Sequence, residues 1–201
     1  MAVKTWDAKI ANWLVQPLKN TWVTPNHLTT VRLITGLAAA FILGIEPKLA
    51  NIGACVFALS NFLDHTDGEL ARISGKSSKL GHVYDLASDA IIHILIFLGI
   101  GIGLRNTQLG YWSILMGLVS GIAVAFIFHW RNQMEQKLGK DASRQPNFCG
   151  FDIEDILYLF PIVTILNGLI PLLIAATIGA PVFAIWVFWE YQKVNNSNVR
   201  Y

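Results

Sequence analysis

Residues 64–89 read DHTDGELARISGKSSKLGHVYDLASD and lie across two apolar stretches of the chain. The fixed points are Asp64, Asp67, Gly68, Ala71, Arg72, Gly81, Asp85 and Asp89, in the pattern DxxDGxxAR, eight further residues, then GxxxDxxxD. A spacing of three in the first acid pair and four in the second puts each pair on one face of a helix. Two such helices joined by the polar segment 73–80 run antiparallel. Counting about 1.5 Å per residue from that segment sets Asp67 level with Asp85, and Asp64 level with Asp89. The four acids therefore converge.

The rest of the chain makes that convergence unusual. Of 201 residues, 54% are hydrophobic and only 14% charged, against about 25% charged in a soluble domain. The composition is that of a membrane protein. A net charge of +2 without a basic tract gives no reason to expect a nucleic-acid partner. The two cysteines, Cys55 and Cys149, have neither disulfide-framework nor zinc-ligand spacing. The first 20 residues lack the uninterrupted apolar core of a cleavable signal.

Crossing about 30 Å of hydrocarbon takes roughly 20 helical residues. Six runs qualify: 26–44, 49–73, 81–104, 110–134, 153–168 and 170–193. In the fifth, Pro161 predicts a kink, and Asn167 with Gly168 predicts a tight turn into the sixth. The fold class is an all-α integral membrane protein, with six transmembrane helices preceded by an N-terminal interfacial amphipathic helix. Residues 1–22 hold that helix, 23–194 form one transmembrane domain, and 195–201 are a short polar tail.

Within 4–19, Trp6, Ile10, Trp13, Leu14 and Pro17 recur at spacings of three and four with polar residues between them. This is the pattern of a helix lying in the interface, either as an anchor or as a gate beside the site. Lys4, Lys9, Lys19, Arg32, Arg72, Lys76, Lys79, Arg131, Lys137, Lys140, Arg144, Lys193 and Arg200 fall on one side of the expected spans. Lys48 and Arg105 fall on the other. Positive charge marks the cytoplasmic side, so both termini and the 73–80 loop are expected there.

An acid at the centre of a membrane helix costs about 2.5 to 3.5 kcal/mol, so four cost on the order of 10 kcal/mol before they repel one another. Arg72 alone does not neutralise them. Two hard divalent cations, Mg²⁺ or Mn²⁺, suit carboxylate oxygens and balance four negative charges. His65 and His82 point off the acidic stripe. Gly68, Ala71 and Gly81 continue the stripe at spacings of four and leave room beside the metals, although small residues also let helices approach closely. Arg72 is available as a phosphate fork.

These residues resemble the signature of the CDP-alcohol phosphotransferases, also called class I CDP-alcohol phosphatidyltransferases, integral membrane enzymes of phospholipid synthesis. Every specified position matches. Thr24, Pro25 and Asn26, followed by Thr29 and Arg32, also resemble the family's opening segment.

The resemblance implies a CDP-linked lipid donor, most often CDP-diacylglycerol, that loses CMP as a hydroxyl of a small polar acceptor attacks its phosphorus. It implies Asp64, Asp67, Asp85 and Asp89 as metal ligands, with Asp89 also taking the acceptor's proton. Thr24, Pro25, Asn26, Asp67, Gly68, Ala71, Arg72 and Gly81 are implied at the nucleotide and diphosphate. A homodimer among membrane lipids and an active site on the cytoplasmic side are expected.

The acceptor is less defined. Family members that use a phosphorylated acceptor present two or more cations near the end of the fourth span. Here Arg131 and Glu135 resemble that arrangement, but Gln133 stands where a second cation is expected, which argues against a sugar or polyol phosphate acceptor. Asp152 and Asp155 either cap the fifth helix or face a cationic or hydroxyl-rich acceptor, an amine such as serine, ethanolamine or choline, with Asp152 the candidate contact. A cation transporter with an intramembrane acidic site is the alternative function, and acids serving only to pair helices a further one. Neither accounts for Arg72 and three small residues beside the acids.

Overall fold

The computed structural model describes residues 6–139 and 157–197, and helices and turns make up these residues without a strand. Seven α-helices follow in order: α1 (Trp6–Val15), α2 (Pro25–Ile45), α3 (Ala50–Ser74), α4 (Lys79–Gly103), α5 (Trp112–Leu138), α6 (Phe160–Ile165) and α7 (Leu169–Ser197). Single 3-10 turns occupy Gln16–Leu18 and Pro47–Leu49.

Among the described residues four helices, α2, α4, α5 and α7, are long and apolar enough to cross a membrane. Six spans were expected. The second, residues 49–73, is the 25-residue α3, whose last turns carry Asp64, Asp67, Glu69 and Arg72 and lower its apolar character. The fifth, residues 153–168, is shorter than expected among the described residues. There a 3-10 turn at 157–159 leads into the six-residue α6. Pro161 occupies the first turn of α6 and does not kink a longer helix, because a proline there loses no hydrogen bond. The turn at Asn167 and Gly168 is present. Asn167 takes φ 56°, and Gly168 N–H closes on the Val163 carbonyl at 2.8 Å.

The long helices pack in the row α3, α2, α4, α5, α7, with α1 and α6 against α3. Small residues set the tightest contacts. A Cβ at Gly99 of α4 would overlap the Ala40 carbonyl of α2, and one at Gly117 of α5 would overlap the Phe97 carbonyl of α4. Backbone thus meets backbone, as small residues permit between membrane helices. Around this seam Leu43, Phe57, Ile92, Ile96, Ile100 and Leu173 are buried. Phe160 of α6 meets Phe57 of α3 edge-on at 5.7 Å. Outward-facing side chains such as Phe41, Ile34 and Trp189 are exposed and apolar, the surface a bilayer covers.

Helix α1 presents Ile10, Trp13 and Leu14 outward and buries Ala11 and Val15 against α3. Its small residues thus face protein, and its large apolar ones face away.

Candidate active site

The turn between α3 and α4 sets the acids in place. α3 ends at Gly75, which adopts φ 68° and donates its N–H to the Ala71 carbonyl, a conformation glycine takes without a Cβ penalty. Ser78 caps α4 by accepting the Gly81 N–H at 2.9 Å, the usual hydroxyl role at a helix start. The helices turn back on each other over four residues. Lys76 Nζ reaches the carbonyls of Thr21 at 2.5 Å and Val23 at 3.3 Å, tying this turn to the start of α2.

One carboxylate oxygen from each of Asp64, Asp67 and Asp85 lies within 4.8 Å of the others. Oxygens at that spacing can share one hard divalent ion. Asp67 is buried, and Thr29 Oγ1 of α2 donates to its Oδ2 at 2.6 Å. Asp89 lies outside this group of three. Its carboxylate is paired with Arg32.

The sequence places Arg32 among the cations on one side of the spans and in the opening segment that begins at Thr24. It is instead buried to 2% exposure among the acids. Nη1 lies 2.5 Å from Asp64 Oδ1 and 2.9 Å from Asp85 Oδ1, while Nη2 bonds Asp89. The Arg32 carbonyl accepts from Ser60 Oγ of α3 at 2.9 Å. The cluster's own counter-charge therefore comes from α2. Four carboxylates and one guanidinium leave three negative charges, which two divalent ions and an anionic substrate can balance. The donor set fits hard cations, all oxygen and mostly carboxylate.

Arg72 sits apart from the four acids. Its guanidinium is about half exposed and bonds Glu69 Oε1 at 2.6 Å. Glu69 is itself buried, and its other oxygen accepts Asn12 Nδ2 of α1 at 3.0 Å. α1 thus touches the motif through a residue that its fixed pattern does not specify. His65 stacks on Tyr158, and His82 Nε2 lies 2.6 Å from Gln136 Nε2. Neither histidine joins the three-carboxylate group.

The small residues divide by surroundings. A Cβ at Gly68 would meet nothing within 4 Å, whereas one at Gly81 would strike Asn26 Oδ1 at 2.6 Å. Asn26 therefore comes up against α4 at Gly81. Pro25 occupies the first turn of α2, and the Thr24 N–H donates to His27 Nδ1 at 3.1 Å. Thr24, Pro25 and Asn26 are brought to the same end of the helix pair as Gly68, Ala71 and Gly81.

A cavity of about 740 Å³ borders the acids. Asp64, Asp85, Asp89 and Arg32 form one wall, and α5 and α7 supply the opposite one. Arg131 and Glu135, the acceptor candidates of α5, both line it. Glu190 and Lys193 of α7 line it as well, a contribution no local spacing announced. Asp152 and Asp155 lie outside the described residues. Asn61, one turn before Asp64, and His93, one turn after Asp89, also contribute to the wall. Asn61 Nδ2, His93 Nε2 and Arg32 Nε are buried without a hydrogen-bond partner.

A protein-family model described as CDP-alcohol phosphatidyltransferase matches residues 22–192. Cholinephosphotransferase 1 of Danio rerio is 32% identical over 136 residues, 63% of this chain and 35% of that protein. The chain therefore matches only about a third of that curated relative's length. Among solved structures, the Mycobacterium tuberculosis phosphatidylinositol phosphate synthase with CDP-DAG bound superposes with a TM-score of 0.63 at 20% identity. The match covers 90% of this chain and 94% of that one. The same synthase in complex with manganese and citrate matches with a TM-score of 0.59 at 19% identity, covering 91% and 88%. These similarities establish the fold.

Proposed function

The chain belongs to the CDP-alcohol phosphatidyltransferase family, and from that premise we propose that it is a membrane transferase of phospholipid synthesis. It moves a substituted phosphate, a phosphatidyl group when the donor is CDP-diacylglycerol, onto the hydroxyl of a small polar acceptor and releases CMP. The observation that carries this reading is the three-carboxylate group of Asp64, Asp67 and Asp85 within 4.8 Å, flanked by open space at Gly68 and by a cavity.

Each residue has a task. Asp64, Asp67 and Asp85 hold Mg²⁺ or Mn²⁺, and Asp89 completes a two-ion site on leaving Arg32. Thr29 fixes one oxygen of Asp67 and so directs the other. Bound divalent ions neutralise the diphosphate as charge builds on the leaving CMP. The cytidine lies against Gly68, Ala71 and Gly81, with Thr24, Pro25, Asn26 and Arg72 around the nucleotide and diphosphate.

The acceptor enters through the cavity, past Arg131 and Glu135. Its hydroxyl oxygen bonds to the phosphorus bearing the lipid, the bond from that phosphorus to the oxygen of CMP breaks, and the hydroxyl proton passes to the Asp89 carboxylate. A carboxylate within hydrogen-bond reach is a competent base for this step. The six-crossing topology, the cytoplasmic placement of the site and both termini, and a homodimer belong to the same reading. The lysine and arginine distribution supports the orientation.

The test is CMP release by purified protein, with CDP-linked donors, Mg²⁺ or Mn²⁺, and a panel of glycerol phosphate, inositol phosphate, inositol, serine and choline. At least one acceptor should release CMP, and chelation should stop it. Silence with every donor and acceptor pair sinks the reading.

A further inference from the structure

Asn61 and His93 extend the two acid stripes by one turn each, Asn61 at i−3 from Asp64 on α3 and His93 at i+4 from Asp89 on α4. Both line the cavity. His93 is 4% exposed, its ring stacks on Phe128 with centroids 4.5 Å apart, and its Nδ1 lies 2.8 Å from the Asp89 carbonyl oxygen. A carbonyl only accepts, so Nδ1 carries the hydrogen, and Nε2 of the neutral ring is an acceptor. No partner reaches that nitrogen, and none reaches the buried Nδ2 amide of Asn61. Leaving such atoms unmatched is costly in a folded protein. Here one acceptor and one donor stand beside the reacting carboxylates.

We propose that Asn61 and His93 form a subsite for a second hydroxyl of the acceptor, so that the acceptor is a polyol. One of its hydroxyls reacts beside Asp89, and another is hydrogen-bonded one turn deeper. The subsite rests on the phosphotransfer reading above. A hydroxyl can both give a hydrogen, as His93 Nε2 requires, and take one, as Asn61 Nδ2 requires. An ammonium only donates and leaves Asn61 unmatched. A phosphate only accepts and leaves His93 unmatched, and a quaternary ammonium serves neither. Four residues of helix rise about 6 Å, which a small polyol can span.

A water molecule has the same donor and acceptor capacity, so the test must read selectivity. CMP release from CDP-diacylglycerol with Mg²⁺ is measured for matched pairs, each a polyol and its analogue without one hydroxyl. The pairs are glycerol with propane-1,3-diol, myo-inositol with its monodeoxy forms, and glycerol 3-phosphate with 3-hydroxypropyl phosphate. In at least one pair kcat/KM should favour the polyol by about tenfold or more. His93→Phe and Asn61→Leu should each bring that ratio toward one. If His93→Phe does not fold, Asn61→Leu and the wild-type pairs still decide.

A wild-type ratio near one in every pair overturns the subsite. So does a ratio that both variants leave intact, the signature of a trapped water, and so does serine or choline outrunning every polyol. CMP release without polyol preference removes the subsite alone, whereas no CMP release from any acceptor removes the phosphotransfer reading with it.

Discussion

Gly68 and Gly99 are the same residue in two opposite settings. At Gly99 a single added carbon would collide with the Ala40 carbonyl, and at Gly68 it would meet nothing within 4 Å. The first lies in the seam where α2, α4 and α5 are pressed backbone to backbone. The second lies in the acidic half, where α3 and α4 are held by a four-residue turn and by ion pairs through Arg32. Absence of a side chain brings helices together in one region and leaves open space in the other. Stability and chemistry thus fall to different ends of α4, and substitutions should separate them.

The largest separation is expected from Asp89→Asn. Turnover should fall about 10³-fold or more, in the range a lost general base produces, while the thermal melt in detergent stays within a few degrees. Retained turnover would take Asp89 out of the reaction. Gly99→Val should do the reverse. Overpacking against a backbone that cannot move is expected to cost about 3 kcal/mol or more, read as a lowered melting temperature or lost folded yield. A normal melt would show that the seam yields.

Arg32→Met belongs to both regions. Removing the buried guanidinium leaves like charges facing one another, a loss of about 3 to 5 kcal/mol by analogy with broken buried ion pairs. Mn²⁺ should restore much of it by taking over the counter-charge, and a melt indifferent to Mn²⁺ would contradict this. Gly68→Leu should leave the melt unchanged and raise the KM for the CDP-linked donor about tenfold by filling the open space. The smallest effect is expected from Glu69→Gln. It weakens the bonds to Arg72 and Asn12 and should change donor KM only a few-fold, as loss of charge from one hydrogen-bonded partner does. A loss as large as that of Asp89→Asn would move Glu69 into the reaction itself.

The acidic stretch could be read from sequence because its information is local. Helical spacing puts Asp64 and Asp67 on one face of α3 and Asp85 and Asp89 on one face of α4, and the three-carboxylate group forms with α2 packed between the two helices. Arg32 could not be placed that way, since its partners lie on two other helices and its role is a product of tertiary packing. One signal was available. A lone arginine seven residues inside an apolar helix needs an anion, and the four acids of the motif are candidates for it. Glu69 was hidden in a variable position of the motif, and Glu190 and Lys193 reach the cavity only because α7 packs on α5. The fifth span is less regular among the described residues for a different reason. Apolar composition continues through 157–168, but Pro161 begins a helix there and Asn167 with Gly168 ends it six residues later.

The burial of Arg32 also bears on the order in which the chain is made. Ribosomes deliver α2 before α3 and α4, so the guanidinium reaches the lipid phase ahead of all three carboxylates that pair with it. An arginine near the middle of a solitary span costs about 2.5 to 3.5 kcal/mol to insert. The apolar remainder of α2 has to carry that cost until its partners are synthesised. Integration of α2 is thus completed by segments translated later, and a chain truncated after Ile45 should be released from the membrane more readily than one extended through Gly103.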